Sequence, residues 1–282
     1  IPELKEELHG MVHRAAQKNL RVPFRLPVDR VFSVDGFGTV VTGTLIEGAI
    51  NEGDLAELVP SIPNSTLILA VAIGVGLFYD PENMEQEDLE RLGAESVALT
   101  HGSPHAFLPG ALLARLTSLC LHRRKVPLSQ LLEEAMDSLC RGIGHGYGHT
   151  QELCALIRRA MALAGDSSVA PTDAMEQLRC RTAPEVLAGA IYACATCHGD
   201  FDAAMITAVN HSGRSAAVGS ITGAILGAKM GDSELPDFYL ESLEVVKPLR
   251  QLADDMVSFT PTKGLFDDDW DQKYVQGIPL GM

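Results

Sequence analysis

No stretch of this chain is apolar for long enough to cross a bilayer as a helix. The longest apolar runs, Leu67–Phe78 and Ala216–Ala228, fall short of the roughly 20 residues a spanning helix needs. Positive charge is also scarce: 22 Lys and Arg stand against 37 Asp and Glu, a formal net charge of −15. Such a chain repels polyanions at long range, so nucleic-acid binding is disfavoured unless basic residues cluster locally. The opening residues Ile1-Pro2-Glu3-Leu4-Lys5 lack both an initiator Met and a basic segment leading into an apolar one. A fragment without a secretory signal, in the cytoplasm, is the expectation. Cysteine is sparse: Cys120, Cys140, Cys154, Cys180, Cys194 and Cys197 are spread over helix-patterned segments, which suits free buried thiols better than a disulfide framework. What is present is apolar mass: 46% hydrophobic and 21% charged residues are enough for a sizeable core in one or two domains.

The chain reads in two styles. Over residues 24–60, β-branched residues flank Asp35-Gly36-Phe37-Gly38, which predicts a hairpin, and a second turn at Asn51-Glu52-Gly53-Asp54 leads into another extended run at 55–59. Before it, Leu4, Leu8, Met11, Val12 and Ala15 fall at helical spacing and predict a short helix ending near Asn19. From about residue 82 the pattern is helical. Leu128, Leu131, Leu132, Ala135, Met136 and Leu139 make one apolar stripe, and Leu153, Leu156, Ile157, Ala160 and Met161 another. Further helices are expected at 85–100, 106–121, 183–197, 200–209, 216–230 and 237–256, with Val126-Pro127 and Ala183-Pro184 as starts. The fold class read from this is mainly α. The expected segments are 1–60 (helix plus partial β-barrel), 61–260 (an incomplete all-α domain) and 261–282, an acidic tail containing Asp267-Asp268-Asp269-Trp270-Asp271.

Pro23-Phe24-Arg25-Leu26-Pro27-Val28-Asp29-Arg30-Val31-Phe32-Ser33-Val34, with Gly36-Phe37-Gly38-Thr39-Val40-Val41-Thr42-Gly43-Thr44, resembles the β-barrel domain that follows the GTPase domain of selenocysteine-specific elongation factors. The likeness covers residues 1 to about 60. It implies no GTP hydrolysis here, because no Gly-x-x-x-x-Gly-Lys-Ser/Thr occurs. From about 68 to 256 the chain resembles the ADP-ribosylglycohydrolase family. The residues that carry this are Gly76-Leu77-Phe78-Tyr79, Leu92-Gly93-Ala94-Glu95, Ala98-Leu99-Thr100-His101-Gly102-Ser103-Pro104, Ala208-Val209-Asn210-His211-Ser212-Gly213 and Gly219-Ser220-Ile221-Thr222-Gly223-Ala224-Ile225-Leu226-Gly227. The resemblance implies an all-α hydrolase domain. In active relatives it cleaves the glycosidic bond between ADP-ribose and an acceptor, using bound Mg²⁺.

The chain departs from that family where the metal should bind. A Gly-Asp-Ser-Asp-Ser/Thr-Thr-Gly run is replaced by Gly213-Arg214-Ser215-Ala216-Ala217-Val218-Gly219. Mg²⁺ takes hard oxygen ligands, and the guanidinium of Arg214, the methyls of Ala216 and Ala217 and the isopropyl of Val218 supply none. The family's opening Gly-Asp-Ala-type motif and Thr-Asp-Asp-Thr cluster are also absent. No cofactor is therefore expected, no catalytic or metal-ligating residue is assigned, and the reading is a catalytically impaired or fragmentary family member, a pseudoenzyme whose join to the N-terminal piece reads as a fusion or a mis-assembled reading frame. Asn210, His211, Ser212, Gly213, Arg214 and Ser215 are the candidate ligand-binding residues. They precede an expected helix whose N–H groups, with Arg214, suit the diphosphate of ADP-ribose or an ADP-ribosylated protein. The plainer reading is that Arg214 is a solvated residue of an inactive site. The rival function is a translation-factor fragment that binds tRNA or the ribosome through Lys18, Arg21, Arg25 and Arg30.

Other motifs read as structural. Cys194-Ala195-Thr196-Cys197-His198 matches a haem-attachment pattern, but lies at the end of an apolar helical run and reads as buried helix cysteines. His9 with His13, His101 with His105, and His145 with His149 are His-x-x-x-His pairs. Two ligands make no site, Pro104 interrupts the second pair, and the third falls in the Gly-rich run 142–149, read as loop. Gly219, Gly223, Gly227 and Gly231 recur every four residues and predict close packing against a neighbouring helix.

Overall fold

The β-branched runs on either side of Asp35-Gly36-Phe37 form a two-stranded antiparallel hairpin, β1 (Val28–Val34) and β2 (Gly38–Gly43). Val31 faces Val41 and Val34 faces Gly38, with an irregularity between Val28 and Arg30. In this computed structural model the described residues are 28–34, 38–43, 49–51, 69–79, 85–241 and 243–257. The expected helix at 4–19, the extended run at 55–59 and the acidic tail lie outside them. The chain separates into two compact units, Ile1–Leu58, which holds the hairpin, and Val59–Met282.

The second unit is helical: α1 (Leu69–Phe78), α2 (Gln86–Ala98), α3 (Pro104–His122), α4 (Leu128–Arg141), α5 (Gly148–Ala164), α6 (Pro171–Leu178), α7 (Ala183–Thr196), α8 (Phe201–Val209), α9 (Ser215–Met230), α10 (Asp237–Glu241) and α11 (Val246–Val257). No helix among the described residues is long and apolar enough to cross a membrane. The amphipathic stripes end up where their spacing requires: Leu131, Leu132, Ala135, Met136 and Leu139 of α4, and Leu153 and Ile157 of α5, are all buried. Two helices are buried nearly all round and lie at the centre. α3 buries every residue from Leu108 to Cys120, and α7 buries Val186 to Cys194. Leu112 and Leu116 of α3, Leu187 and Ile191 of α7, and Ile221 and Ile225 of α9 share one core. Each such side chain contributes about 1.5–3 kcal/mol by leaving water.

Two helices escape the periodicity argument. α1 is a uniformly apolar run with no polar face to mark its turns, and α6 is a short helix started by Pro171 at its first position. The expected single helix at 237–256 is two, α10 and α11. Pro248 has no N–H to offer the preceding turn, so it fits only in the first turn of a new helix. The glycine repeat of α9 packs less closely than its spacing predicts. A Cβ on Gly219 would lie 3.0 Å from Val209 Cγ1, one on Gly223 would make an ordinary 3.8 Å contact with Met205 Sδ, and one on Gly227 meets nothing within 4 Å among the described residues. Gly231 is not in the helix but caps it, at φ 91°. The contact loosens along the face, from Val209 opposite Gly219 to Met205 opposite Gly223. Tighter glycine contacts lie elsewhere: between α2 and α3 a Cβ on Gly93 would stand 2.6 Å from Ala114 Cβ and one on Gly110 2.5 Å from Val97 Cγ2, and between α1 and α3 one on Gly76 would stand closer still to Ala114 O.

Candidate functional site

Of the residues Asn210–Ser215, the first five form the loop between α8 and α9 and Ser215 opens α9, and the loop's conformation is fixed by bonds to a strained turn after α6. There Arg179 adopts φ 66° and ψ −36°, Leu178 O accepts the Cys180 N–H at 2.7 Å, and Cys180 itself has φ 50°. This is close to a γ-turn with positive φ, a costly conformation for residues with a Cβ. The loop packs on that turn. Arg214 N–H donates to Cys180 O at 2.8 Å, and Arg214 Nε donates to Arg181 O at 3.0 Å. Gly213 must be glycine for this approach, because a Cβ would lie 2.6 Å from Arg179 O and 2.7 Å from Cys180 O.

Within the loop most polar groups are paired. His211 Nε2 donates to Ala208 O at 2.9 Å while its Nδ1 accepts the Gly213 N–H at 3.0 Å, which fixes the ring's proton on Nε2. Asn210 Nδ2 donates to Ile206 O at 2.7 Å. Ser212 donates its N–H (2.7 Å) and its hydroxyl (2.5 Å) to the two carboxylate oxygens of Glu176 on α6. These bonds from the Ser212 hydroxyl and amide hold the Glu176 carboxyl below the usual carboxylate range. Glu176 thus supplies an anion to this loop from within the protein. Of the amides of Gly213, Ser215 and Ala216 around the start of α9, that of Gly213 is bonded to His211, and that of Ser215 donates to Gly213 O at 3.2 Å. Ala217 and Val218 are buried in α9, whereas Arg214 and Ala216 are exposed.

A second polar cluster lies between the first turns of α3 and α5. Gly146, at φ 87°, and the buried Thr150, whose hydroxyl donates to Gly144 O at 2.8 Å, end the Gly-rich run so that α5 starts at Gly148. His149 is therefore helical rather than in a loop. It meets His105, from the first turn of α3, edge to face at a centroid distance of 4.2 Å. Glu152 stands one turn further along α5, and one ligand atom from each of these three residues lies within 4.8 Å of the others. They line a cleft of about 180 Å³, with Leu108 and Leu156 among its apolar residues. Thr182 and Glu185, at the start of α7, also line it. Glu185 Oε2 accepts the N–H groups of Arg181 and Thr182, both at 3.0 Å, in a capping box. The sequence shows each histidine in a pair that leads nowhere. The true partners are the second members of two different pairs, and only the i, i+3 spacing of His149 and Glu152 was open to reading.

His101 does not join them: it is buried, accepts or shares a 2.8 Å bond with Thr100 Oγ1, and burial pushes its pKa down. The cysteines are all free. Burial pushes the thiols of Cys120, Cys154 and Cys180 up to about 12 and raises that of Cys194 well above its ordinary value, so none of these four is a thiolate nucleophile near neutral pH. Cys194 donates to Thr222 O inside the core, which leaves its sulfur no access to a haem.

The sequence profile of the ADP-ribosylglycohydrolase family matches residues 32–265. The chain belongs to the ADP-ribosylglycohydrolase family. The matched range takes in the second, helical unit to beyond α11 and starts well before residue 68, where the motif likeness begins, so it includes part of the hairpin. A curated relative, the selenocysteine-specific elongation factor of Desulfomicrobium baculatum, is 66% identical over 38 residues, 14% of this chain and 6% of that protein. This match is real but short. As a member of the ADP-ribosylglycohydrolase family the chain is of hydrolase descent, and its helical architecture is that of the family.

Proposed function

We propose that this chain is an ADP-ribosylglycohydrolase-family protein impaired in Mg²⁺-dependent glycoside cleavage, and that it retains a binding site for ADP-ribose, free or attached to protein, at Asn210–Ser215. The observation that carries the first part is the donor set after Gly213. Mg²⁺ requires oxygen ligands in near-octahedral geometry. Here Arg214 brings a positive charge, Ala216 brings a methyl, and Ala217 and Val218 are apolar and buried. The Ser212 hydroxyl is already committed to Glu176. These residues do not fit the ion, and no catalytic step is assigned through it.

Support for residual binding is narrower than the sequence alone suggests, and it centres on Arg214. Its Nε is anchored on Arg181 O, which orients a planar guanidinium whose amino groups suit a phosphate oxygen pair. Thermal unfolding of the full chain with millimolar ADP-ribose tests this. Ligand at a hundredfold excess over Kd adds about 2.7 kcal/mol, or about 5–10 °C in a domain of this size. The expected result is a rise without Mg²⁺, lost in Arg214→Ala, together with no release of ADP-ribose from a modified acceptor. Mg²⁺-dependent release refutes the impairment, and a Tm unmoved by ADP-ribose refutes the binding.

A further inference from the structure

We propose that His105, His149 and Glu152 form a binding site for a divalent first-row transition metal of the zinc class. Two imidazole nitrogens and one carboxylate oxygen are the ligand set such ions choose, with remaining coordination positions left open, whereas Mg²⁺ and Ca²⁺ select all-oxygen sets. The candidate ligand atoms lie within 4.8 Å of one another. Zinc bonds of about 2.0–2.1 Å in a tetrahedron put ligand atoms about 3.4 Å apart. His105 and Glu152 are exposed and His149 is half-buried, so side-chain rotation closes that gap without moving a helix.

The backbone prepares the site. His149 and Glu152, three residues apart on α5, project on one face, and His105 approaches from the first turn of α3. Both turns are held on rigid elements. Leu108 of α3 and Leu153 of α5 are buried in the common core, and the Thr150 hydroxyl bonded to Gly144 O fixes where α5 begins. The N-terminal ends of α3 and α5 carry partial positive charge, which opposes a cation. Two carboxylates on the cleft wall, Glu152 as ligand and Glu185 nearby, act in the other direction, and so does the net charge of −15. The open positions of the metal face the cleft of about 180 Å³, which accommodates water or a small anionic ligand. The inference does not rest on the ADP-ribose reading, because none of its three ligands belongs to the 210–215 loop.

The test is calorimetric titration of the full chain with ZnCl2, repeated with MgCl2 and with Co²⁺ as a spectroscopic probe. One Zn²⁺ is expected to bind per chain at this site, with no comparable Mg²⁺ binding. His149→Ala and Glu152→Gln should each weaken Zn²⁺ at least about tenfold, since loss of even an outer-shell partner costs that much. His145→Ala and Cys140→Ser should leave it unchanged. The visible bands of tetrahedrally bound Co²⁺ should disappear in His149→Ala. Wild-type Zn²⁺ affinity in both His149→Ala and Glu152→Gln overturns the proposal. So does a loss that follows Cys140→Ser instead, which would place the ion at the Cys140–Cys154 sulfur pair, 3.7 Å apart. Metal-free melts of each variant check that folding is intact, and the two separate ligand substitutions keep the test decisive if one of them lowers stability.

Discussion

Replacing Gly213 by alanine adds one methyl group where three atoms already stand. The new Cβ would lie 2.6 Å from Arg179 O, 2.7 Å from Cys180 O and 2.8 Å from Cys180 Cβ, against an ordinary contact of 3.4 Å or more. Two of these neighbours are backbone oxygens in a turn that already holds positive φ at Arg179 and Cys180, so the turn has little freedom to yield. Separation of the loop from the turn would also stretch the 2.8 Å bond from Arg214 N to Cys180 O. Overpacking of this kind costs about 1–3 kcal/mol, and a lost hydrogen bond about 0.5–1.5 kcal/mol. A cost of about 2 kcal/mol lowers Tm by about 4–8 °C in a domain of this size. The control is the same substitution at Gly227, on the helix that begins two residues after Gly213. A Cβ there meets nothing within 4 Å among the described residues. Alanine inside a helix is favoured over glycine by about 0.5–1 kcal/mol, so Gly227→Ala should stabilise. Urea unfolding at constant m-value reads both changes as shifts of the midpoint. A Gly213→Ala midpoint equal to or above wild type refutes the account of the loop packed on the strained turn.

Two of the perturbed carboxylates, Glu176 and Glu90, should respond to pH in opposite senses. The hydroxyl and amide of Ser212 lower the pKa of Glu176 in the fold, so its contribution is present above the unfolded value near 4.5 and is lost as pH falls through the folded one. Wild type should therefore be more stable than Glu176→Gln at pH 7, with the difference closing below about pH 4.5 in thermal melts; a difference that widens on acidification would contradict the assigned bonds. Burial raises the pKa of Glu90 on α2, against the pull of Ser138 and Arg115, so its stabilising form is the neutral acid. Glu90→Gln should match or exceed wild type at pH 7 and lose that advantage in acid, and marked destabilisation at pH 7 would show that the charged form is held by its neighbours.

Much of the helical unit is legible in the sequence because its signals are local. The stripe at 128–139 and the Pro-initiated start at 183–184 depend only on spacing along one helix and on the missing N–H of proline, and both appear as read. The family, too, is carried by short motifs, and the profile match extends them to residues 32–265. α1 was not legible, because a run apolar at every position has no phase. Motif order puts the loop at 210–214 before α9, but the partners of its polar groups are not legible, since Glu176, Cys180 and Arg181 reach it from a distant part of the chain.

Periodicity and motif order are properties of neighbours in the chain, so they specify which residues can be helical, which faces can be buried and which family motifs survive. Which polar groups meet depends on how the helices pack. His105 finds His149 and Glu152, rather than His101, only because α3 and α5 cross with their first turns adjacent. Gly213 matters only because the turn at Arg179–Cys180 comes within van der Waals distance of it. Such encounters follow from how helices pack and where loops end, and no spacing along the chain encodes them.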